Sequence, residues 1–204
     1  MNKYLASINK KTQPAIIKKI LLQAKELDTP IISDEGINLL IQLIKIGKVK
    51  KVLEIGSAIG YSAIMMALNG FVEVTTIEKD ESAFIKAMEN ISEAKLDKKI
   101  KIIHGDALKV NVEGFYDLLF IDAAKAQYLK FLEKFKDNLN SGAIVVCDNL
   151  LFHGLVETPN VASGKRVKSL VMKIAKFNEK LISHPDFDTY IYEIGDGMSI
   201  SIKK

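Results

Sequence analysis

The 204-residue sequence predicts one α/β domain, in which a mostly parallel β-sheet carries helices on both faces. Three observations lead there. Apolar, β-branched runs alternate with helix-forming sequence over about 100 residues, the pattern of right-handed β-α-β crossovers. The runs at 116–121 and 142–147 are almost continuously apolar, as strands buried on both faces must be. The stretch 51–67 passes from Val52, Leu53 and Ile55 through Gly56 and Gly60 into helix-forming residues from Tyr61 onward, so it reads as strand, tight turn and helix.

Composition agrees with one well-filled core: 48% of residues are hydrophobic and 26% charged. The expected organisation is a single domain, 1–204, with a helical extension at 1–48. No apolar run approaches the roughly 20 residues of a membrane span. The opening Met1-Asn-Lys-Tyr-Leu-Ala lacks a signal-peptide core, so a cytoplasmic protein with no membrane partner is expected. Cys147 is the only cysteine and lies in an apolar run, which excludes an internal disulfide and suggests a buried small hydrophobe. A net charge of +4 permits an anionic partner without requiring one.

In chain order, Ile16, Ile17, Ile20, Leu21, Ala24 and Leu27 recur at helical spacing and predict an amphipathic helix over 14–27. Pro30 interrupts it, and a second helix follows over 34–46. The turn between them leaves Ile31 and Ile32 free to cover a ligand, so the extension reads as a lid or an oligomer contact. After the glycine turn come a strand over 72–77 ending in Glu78, a helix over 80–94, and a strand over 101–104 ending in Gly105-Asp106-Ala107. The strand at 116–121 ends in Asp122, a helix is predicted over 126–139, and the strand at 142–147 ends in Asp148-Asn149. Val167, Leu170, Val171, Ile174, Phe177 and Leu181 mark a helix over 163–181. Its outer face carries Lys165, Arg166, Lys168, Lys173, Lys176 and Lys180 against Glu179 alone. Strands at 189–194 and 198–202, joined by Gly195-Asp196-Gly197, form a closing hairpin.

The polar groups of interest sit at or just past strand carboxyl ends, where such sheets bind ligands. Gly56 and Gly60 permit close approach to a helix N-terminus. A dinucleotide site would call for three glycines in G-x-G-x-x-G; this turn has two, with Glu54 beside it, which suits a cationic ligand better. Glu78 follows Gly56 by 22 residues, the place of an acid that holds ribose hydroxyls, and together they favour a nucleoside-type cofactor. Asp122, Asp148 and Asn149 supply hard oxygen donors with no cysteine or histidine pair, a set suited to Mg²⁺, Mn²⁺ or Ca²⁺ rather than zinc. Lys125, three residues after Asp122, is a candidate general base. The alternative is that Asp122 and Asp148 cap helices and Lys125 is a solvated lysine. Of the three histidines, His104 reads as scaffold, His153 as lining the substrate entrance, and His184 as a turn residue before Pro185.

These residues combine into a resemblance. Val52-Leu-Glu-Ile-Gly-Ser-Ala-Ile-Gly-Tyr-Ser, Thr76-Ile-Glu-Lys-Asp, Gly105-Asp-Ala, Phe120-Ile-Asp-Ala-Ala-Lys and Cys147-Asp-Asn together resemble the cation-dependent O-methyltransferases, which include catechol and caffeoyl-CoA methyltransferases. The likeness spans nearly the whole chain. Within that family the chain is most similar to bacterial tRNA 5-hydroxyuridine methyltransferases, through Asp122-Ala-Ala-Lys-Ala-Gln-Tyr, Asp148-Asn-Leu-Leu-Phe-His-Gly-Leu-Val, the basic helix after Gly164, Ser183-His-Pro-Asp-Phe and Gly195-Asp-Gly-Met-Ser-Ile-Ser.

The resemblance implies a class I methyltransferase fold, a Rossmann-like three-layer sandwich closed by a C-terminal antiparallel hairpin with extra N-terminal helices. It implies S-adenosylmethionine at Ile32, Glu54, Gly56, Ala58, Gly60, Tyr61, Ser62, Glu78, Asp106, Ala107 and Asp122. Glu78 would take the ribose, Ser62 and the 54–60 backbone the methionine end, and Asp106-Ala107 the adenine. It implies Mg²⁺, or Mn²⁺ or Ca²⁺, on Asp122, Asp148 and Asn149, with Lys125 and Asp122 as catalytic residues. The implied substrate is 5-hydroxyuridine at the wobble position of a tRNA anticodon stem-loop, held partly by Lys165, Arg166 and Lys168, and the implied assembly is a homodimer. Two rival expectations stand beside it, a methyltransferase of small catechol-like molecules and a non-catalytic cofactor- and RNA-binding protein. One departure is that Ala123 and Ala124 replace bulkier residues of the catechol enzymes, which would open the site.

Overall fold

A computed structural model describes residues 3–9, 13–70 and 72–204 of the chain. Three helices precede the sheet: α1 (Lys3–Ile8), α2 (Ala15–Glu26) and α3 (Asp34–Ile46). The first was not foreseen from the sequence, and the start of the N-terminal reading, Met1 and Asn2, lies outside the described residues. Then follow β1 (Lys51–Ile55), α4 (Tyr61–Asn69), β2 (Glu73–Glu78), α5 (Glu81–Glu93), β3 (Ile100–His104), β4 (Tyr116–Ile121), α6 (Tyr128–Phe135), β5 (Leu139–Cys147), α7 (Lys165–Ile182), β6 (Phe187–Tyr192) and β7 (Met198–Lys203).

Among the described residues the strands form one seven-stranded sheet in the order β3-β2-β1-β4-β5-β7-β6. The first five are parallel, and β7 runs antiparallel to both β5 and β6. Alternation along each strand explains the two cores. Val52, Leu118, Phe120, Ile144 and Val146 point to the face covered by α2, α3, α4 and α5, where Ile17, Ile20, Leu40, Ile64 and Ile91 meet them. Leu53, Ile55, Leu119, Ile121, Val145 and Cys147 point to the opposite face, under Phe131, Leu132 and Phe135 of α6 and Phe177 and Leu181 of α7. This is the three-layer arrangement expected. Cys147 is fully buried, and burial pushes its thiol up to about 12, as suits an inert core residue.

Helix starts follow local chemistry. The Ser33 hydroxyl accepts the Gly36 N–H at 3.1 Å, and Asp34 and Glu35 complement the start of α3. Asp80 accepts the Ala83 N–H at 2.9 Å and opens α5. The expected helix over 126–139 is shorter, with 3₁₀ turns at Lys125–Gln127 and Lys136–Asn138 framing α6. β5 begins at Leu139 rather than at Gly142, because a register shift opposite Tyr116 and Leu118 absorbs Gly142 (φ +76°) as an irregularity within the strand. Likewise β6 begins at Phe187, whose burial extends the strand past Thr189. Among the described residues no helix is long and apolar enough to cross a membrane.

Candidate active site

β1 and β4 are hydrogen-bonded neighbours although α4, β2, α5 and β3 separate them in the chain, so the connections leave their carboxyl ends in opposite directions and open a crevice there. A cavity of about 600 Å³ occupies it. Its floor is the turn after β1, its walls the ends of β2, β3, β4 and β5, and its cover Pro30, Ile31 and Ile32 between α2 and α3, as the reading of that turn anticipated. Ile32 is 5% exposed.

The β1–β2 side is built mainly from backbone amides. Gly56 has φ +93°, and a Cβ there would lie 2.2 Å from the Asp122 carbonyl oxygen, so only glycine lets the turn press against the end of β4. The Ala58 N–H donates to Glu78 Oε2 at 2.8 Å, and Glu78 Oε1 accepts the Lys79 and Asp80 N–H groups, each at 2.8 Å. Three amides thus fix the Glu78 carboxylate at the cavity rim. Asp106 accepts the Leu108 N–H at 3.0 Å, which with Lys79 holds its carboxyl below the usual range. Ser57 Oγ and the Tyr61 hydroxyl are buried cavity-lining groups with no partner, which fits a polar ligand between them. Burial, and then the charge of Asp34, push the Tyr61 hydroxyl up to about 12, so it stays protonated and able to donate.

Two of the expected cofactor residues, Glu54 and Gly60, lie outside the cavity lining. Glu54 is the first of them. Its position on β1 turns its side chain under α4, where it is fully buried and accepts the Ser62 hydroxyl at 2.5 Å. Burial raises its carboxyl to about 7 against that hydrogen bond. Gly60 stands behind the cavity wall as the N-cap of α4 (φ +86°), closely packed on Ala87. Ile32, Gly56, Ala58, Tyr61, Ser62, Glu78, Asp106, Ala107 and Asp122 all line the cavity.

The β4–β5 side is electrostatically tense. Ile121 pairs with Cys147, so the next residues, Asp122 and Asp148, emerge side by side. Burial raises Asp122 against the pull of Lys125, and burial followed by the charge of Asp122 raises Asp148 to about 7. Asn149 takes a left-handed backbone (φ +61°), donates its N–H to Asp148 Oδ1 at 2.7 Å and accepts Lys125 Nζ on its side-chain oxygen at 2.9 Å. Behind them, the buried Tyr128 hydroxyl donates to the Asp148 carbonyl at 3.1 Å, its ring edge-on to Phe177. Two desolvated carboxyls, the charge of one raising the other, beside an amide oxygen, fit a hard divalent cation. Among the described residues no group of three His, Cys, Asp or Glu side chains could hold a metal, so Asn149 would be the third protein donor, a set unlike zinc sites. The capping alternative fails for Asp122: the 3₁₀ turn after it starts from Ala124 without a side-chain cap.

The remaining expected residues lie elsewhere. Lys165, Arg166 and Lys168 form the first turn of α7, outside the cavity; Lys165 and Lys168 join Lys173, Lys176 and Met172 around a separate shallow groove. His153 is 81% exposed and does not line the cavity. His104 stacks on Phe84 and His184 lies between Glu133 and Asp186, both scaffold roles. Sequence reading passed over Ser57 and Tyr128. Tyr128 shows in the sequence only as one more apolar position of its helix, and nothing local signals its bond to Asp148.

The O-methyltransferase family profile matches residues 7–204. Tapetum-specific methyltransferase 1 of Arabidopsis thaliana is 32% identical, over 86% of this chain and 77% of its own. Caffeoyl-CoA O-methyltransferase of Medicago sativa is 30% identical, over 82% of this chain and 72% of its own. A solved Staphylococcus aureus structure, provisionally assigned as a caffeoyl-CoA O-methyltransferase, superposes with a TM-score of 0.93 at 36% identity, over 99% of this chain and 98% of that one. A switch-point cavity with this donor set, and profile and relatives that agree along nearly the full length, lead to one assignment: the chain belongs to the O-methyltransferase family.

Proposed function

We propose that the protein is an S-adenosylmethionine- and divalent-cation-dependent O-methyltransferase acting on a hydroxyl that has a second oxygen beside it. The observation that carries this reading is that Asp122, Lys125, Asp148 and Asn149 open into the same cavity as the Glu78-braced glycine turn. When bound, S-adenosylmethionine supplies the methyl group, and a cation on Asp122, Asp148 and Asn149 supplies charge that favours the ionised hydroxyl. Glu78 binds the ribose hydroxyls, Ser57, Tyr61 and Ser62 the amino-acid end, and Asp106 with Ala107 the base. Lys125 Nζ, steered by the Asn149 oxygen, would in its neutral amine form accept the proton of the substrate hydroxyl and become the ammonium. Ile31 and Ile32 exclude water from above. The small side chains of Ala123 and Ala124 leave the substrate side open.

The substrate we propose is 5-hydroxyuridine at the wobble position of tRNA, converted to 5-methoxyuridine. Support comes from α7: its first turn carries Lys165, Arg166 and Lys168 with no acidic residue, and four lysines surround the groove along it. The second reading, a small catechol-like substrate, is favoured by the names of the caffeoyl-CoA relatives. Mass spectrometry of tRNA nucleosides from cells with and without the protein separates the two. Loss of 5-methoxyuridine with accumulation of 5-hydroxyuridine supports the tRNA reading; unchanged tRNA removes it. Replacing Lys165, Arg166 and Lys168 by alanine should weaken tRNA binding and flatten its salt dependence, yet leave methylation of a free catechol unchanged. Self-association is proposed through Tyr190, Tyr192 and Ile202, exposed on one face of the edge hairpin. A monomer by light scattering would remove that part.

A further inference from the structure

The loop after β5 brings three non-glycine residues into left-handed backbone within five positions. Asn149, Phe152 and His153 all have positive φ, +61°, +47° and +55°, though none is glycine. Asn and His enter this region more readily than most residues, whereas a bulky residue such as Phe152 does so where its surroundings fix it. Here the fixing element is the turn between β6 and β7. The Leu150 N–H donates to the Gly197 carbonyl at 2.9 Å and the Leu151 N–H to the Asp196 carbonyl at 2.8 Å. The His153 N–H donates to Asp196 Oδ1 at 2.6 Å. The Asp196 side chain is 17% exposed, so it is committed to this contact more than to solvent. Close packing completes the seam: a Cβ on Gly197 would lie 2.5 Å from Leu151 Cγ, and one on Gly195 2.7 Å from Ser33 Oγ. The turn therefore touches both the 149–153 loop and the start of α3, next to the cavity cover.

We propose that Asp196 is a positioning residue: it pins the 149–153 loop and so presents the Asn149 side chain to the cation site. Asp196 does not line the cavity, and its carboxylate is engaged by the His153 amide. It acts through the backbone of the residues that follow Asn149. The proposal rests on the cation-dependent reading of the site, and its first consequence is independent of that reading. If Asp196 pins the loop, the His153 amide loses its acceptor when Asp196 is truncated.

The test compares wild type, Asp196→Ala and Asp196→Asn in three readouts: amide exchange at Leu151 and His153, binding of Mn²⁺ alone by electron paramagnetic resonance, and binding of S-adenosylhomocysteine by calorimetry. Asp196→Ala should speed exchange at His153 and weaken Mn²⁺ about 10- to 100-fold, the usual cost of losing a residue that orients a ligand. S-adenosylhomocysteine affinity should stay as in wild type, because the Glu78 side shares none of these contacts. Asp196→Asn keeps an acceptor oxygen and should restore exchange protection and most of the Mn²⁺ affinity. Faster exchange with unchanged Mn²⁺ affinity, or equal weakening of both ligands, would overturn the proposal. If Asp196→Ala does not fold, Asp196→Ser, too short to reach the His153 amide, makes the same comparison. Wild type that binds no Mn²⁺ would remove the cation reading and the positioning role with it, whereas wild type that binds no S-adenosylhomocysteine would strike the proposed cofactor instead.

Discussion

The two sides of the cavity solve opposite problems. On the β1–β2 side the Glu78 carboxylate, which lines the cavity, already accepts three backbone N–H groups, so it is satisfied before any ligand arrives. On the β4–β5 side Asp122 and Asp148 are desolvated, the charge of Asp122 adds to the rise of Asp148, and both stand beside a residue with left-handed backbone. The first side is preorganised for a hydrogen-bonding ligand. The second gathers two raised carboxyls and an amide oxygen, the surroundings that the proposed cation would occupy. On the proposed function, this difference makes cofactor capture and activation of the acceptor separable, so that each should be open to damage alone.

The largest expected effect comes from Asp148→Ala, which removes one of the two carboxyls. Turnover should fall by about 10³-fold or more, since the cation's charge stabilisation amounts to several kcal/mol and each 1.4 kcal/mol is a factor of ten. Cofactor affinity, measured by calorimetry, should be nearly unchanged; a parallel loss would mean the two sides are one unit. Next, Lys125→Ala should lower the rate about 10²- to 10⁴-fold with cofactor and cation binding retained. Unchanged turnover at neutral pH would show that the substrate ionises without a base.

Glu78→Ala reverses the pattern. It should weaken S-adenosylhomocysteine about 10- to 100-fold, the range for hydrogen bonds to a charged group, while Mn²⁺ binding persists. The smallest effect concerns pH. Asp148, raised to about 7 in the fold against 3.8 ordinarily, keeps a proton that the unfolded chain releases. Its contribution to stability is therefore unpenalised below about pH 4 and worsens as pH rises towards 7. Mg²⁺ binds the ionised form, so the melting temperature it adds should be larger at pH 8 than at pH 5, on the order of 5 °C at a hundredfold excess over Kd. Glu54 imposes the same trend but is enclosed beneath α4, so Mg²⁺ should not relieve it. Equal shifts at both pH values would contradict the account of Asp148.

What the sequence revealed follows from how local each signal is. Strand alternation and continuous apolar runs are local, and they specified the parallel sheet, both cores and every strand end that carries Glu78, Asp106, Asp122, Asp148 and Asn149. The direction of Glu54 was not legible. A carboxylate beside a glycine turn looks the same in sequence whether it faces the ligand or the helix, and only pairing of β1 with both neighbours decides it. The Tyr128 and Asp196 contacts were hidden for a related reason: each joins segments 20 and 43 residues apart through a backbone group that any residue has. The early start of β5 was missed because Gly142 reads as a turn, and its accommodation depends on the partner strand.

Separability is tested most directly by titrating S-adenosylhomocysteine into the protein in excess chelator and again in Mg²⁺, with turnover of a catechol surrogate measured under both conditions. The account predicts the same cofactor affinity in both, and methyl transfer only with Mg²⁺. Cofactor binding that vanishes with chelator, or full transfer in its presence, would contradict it.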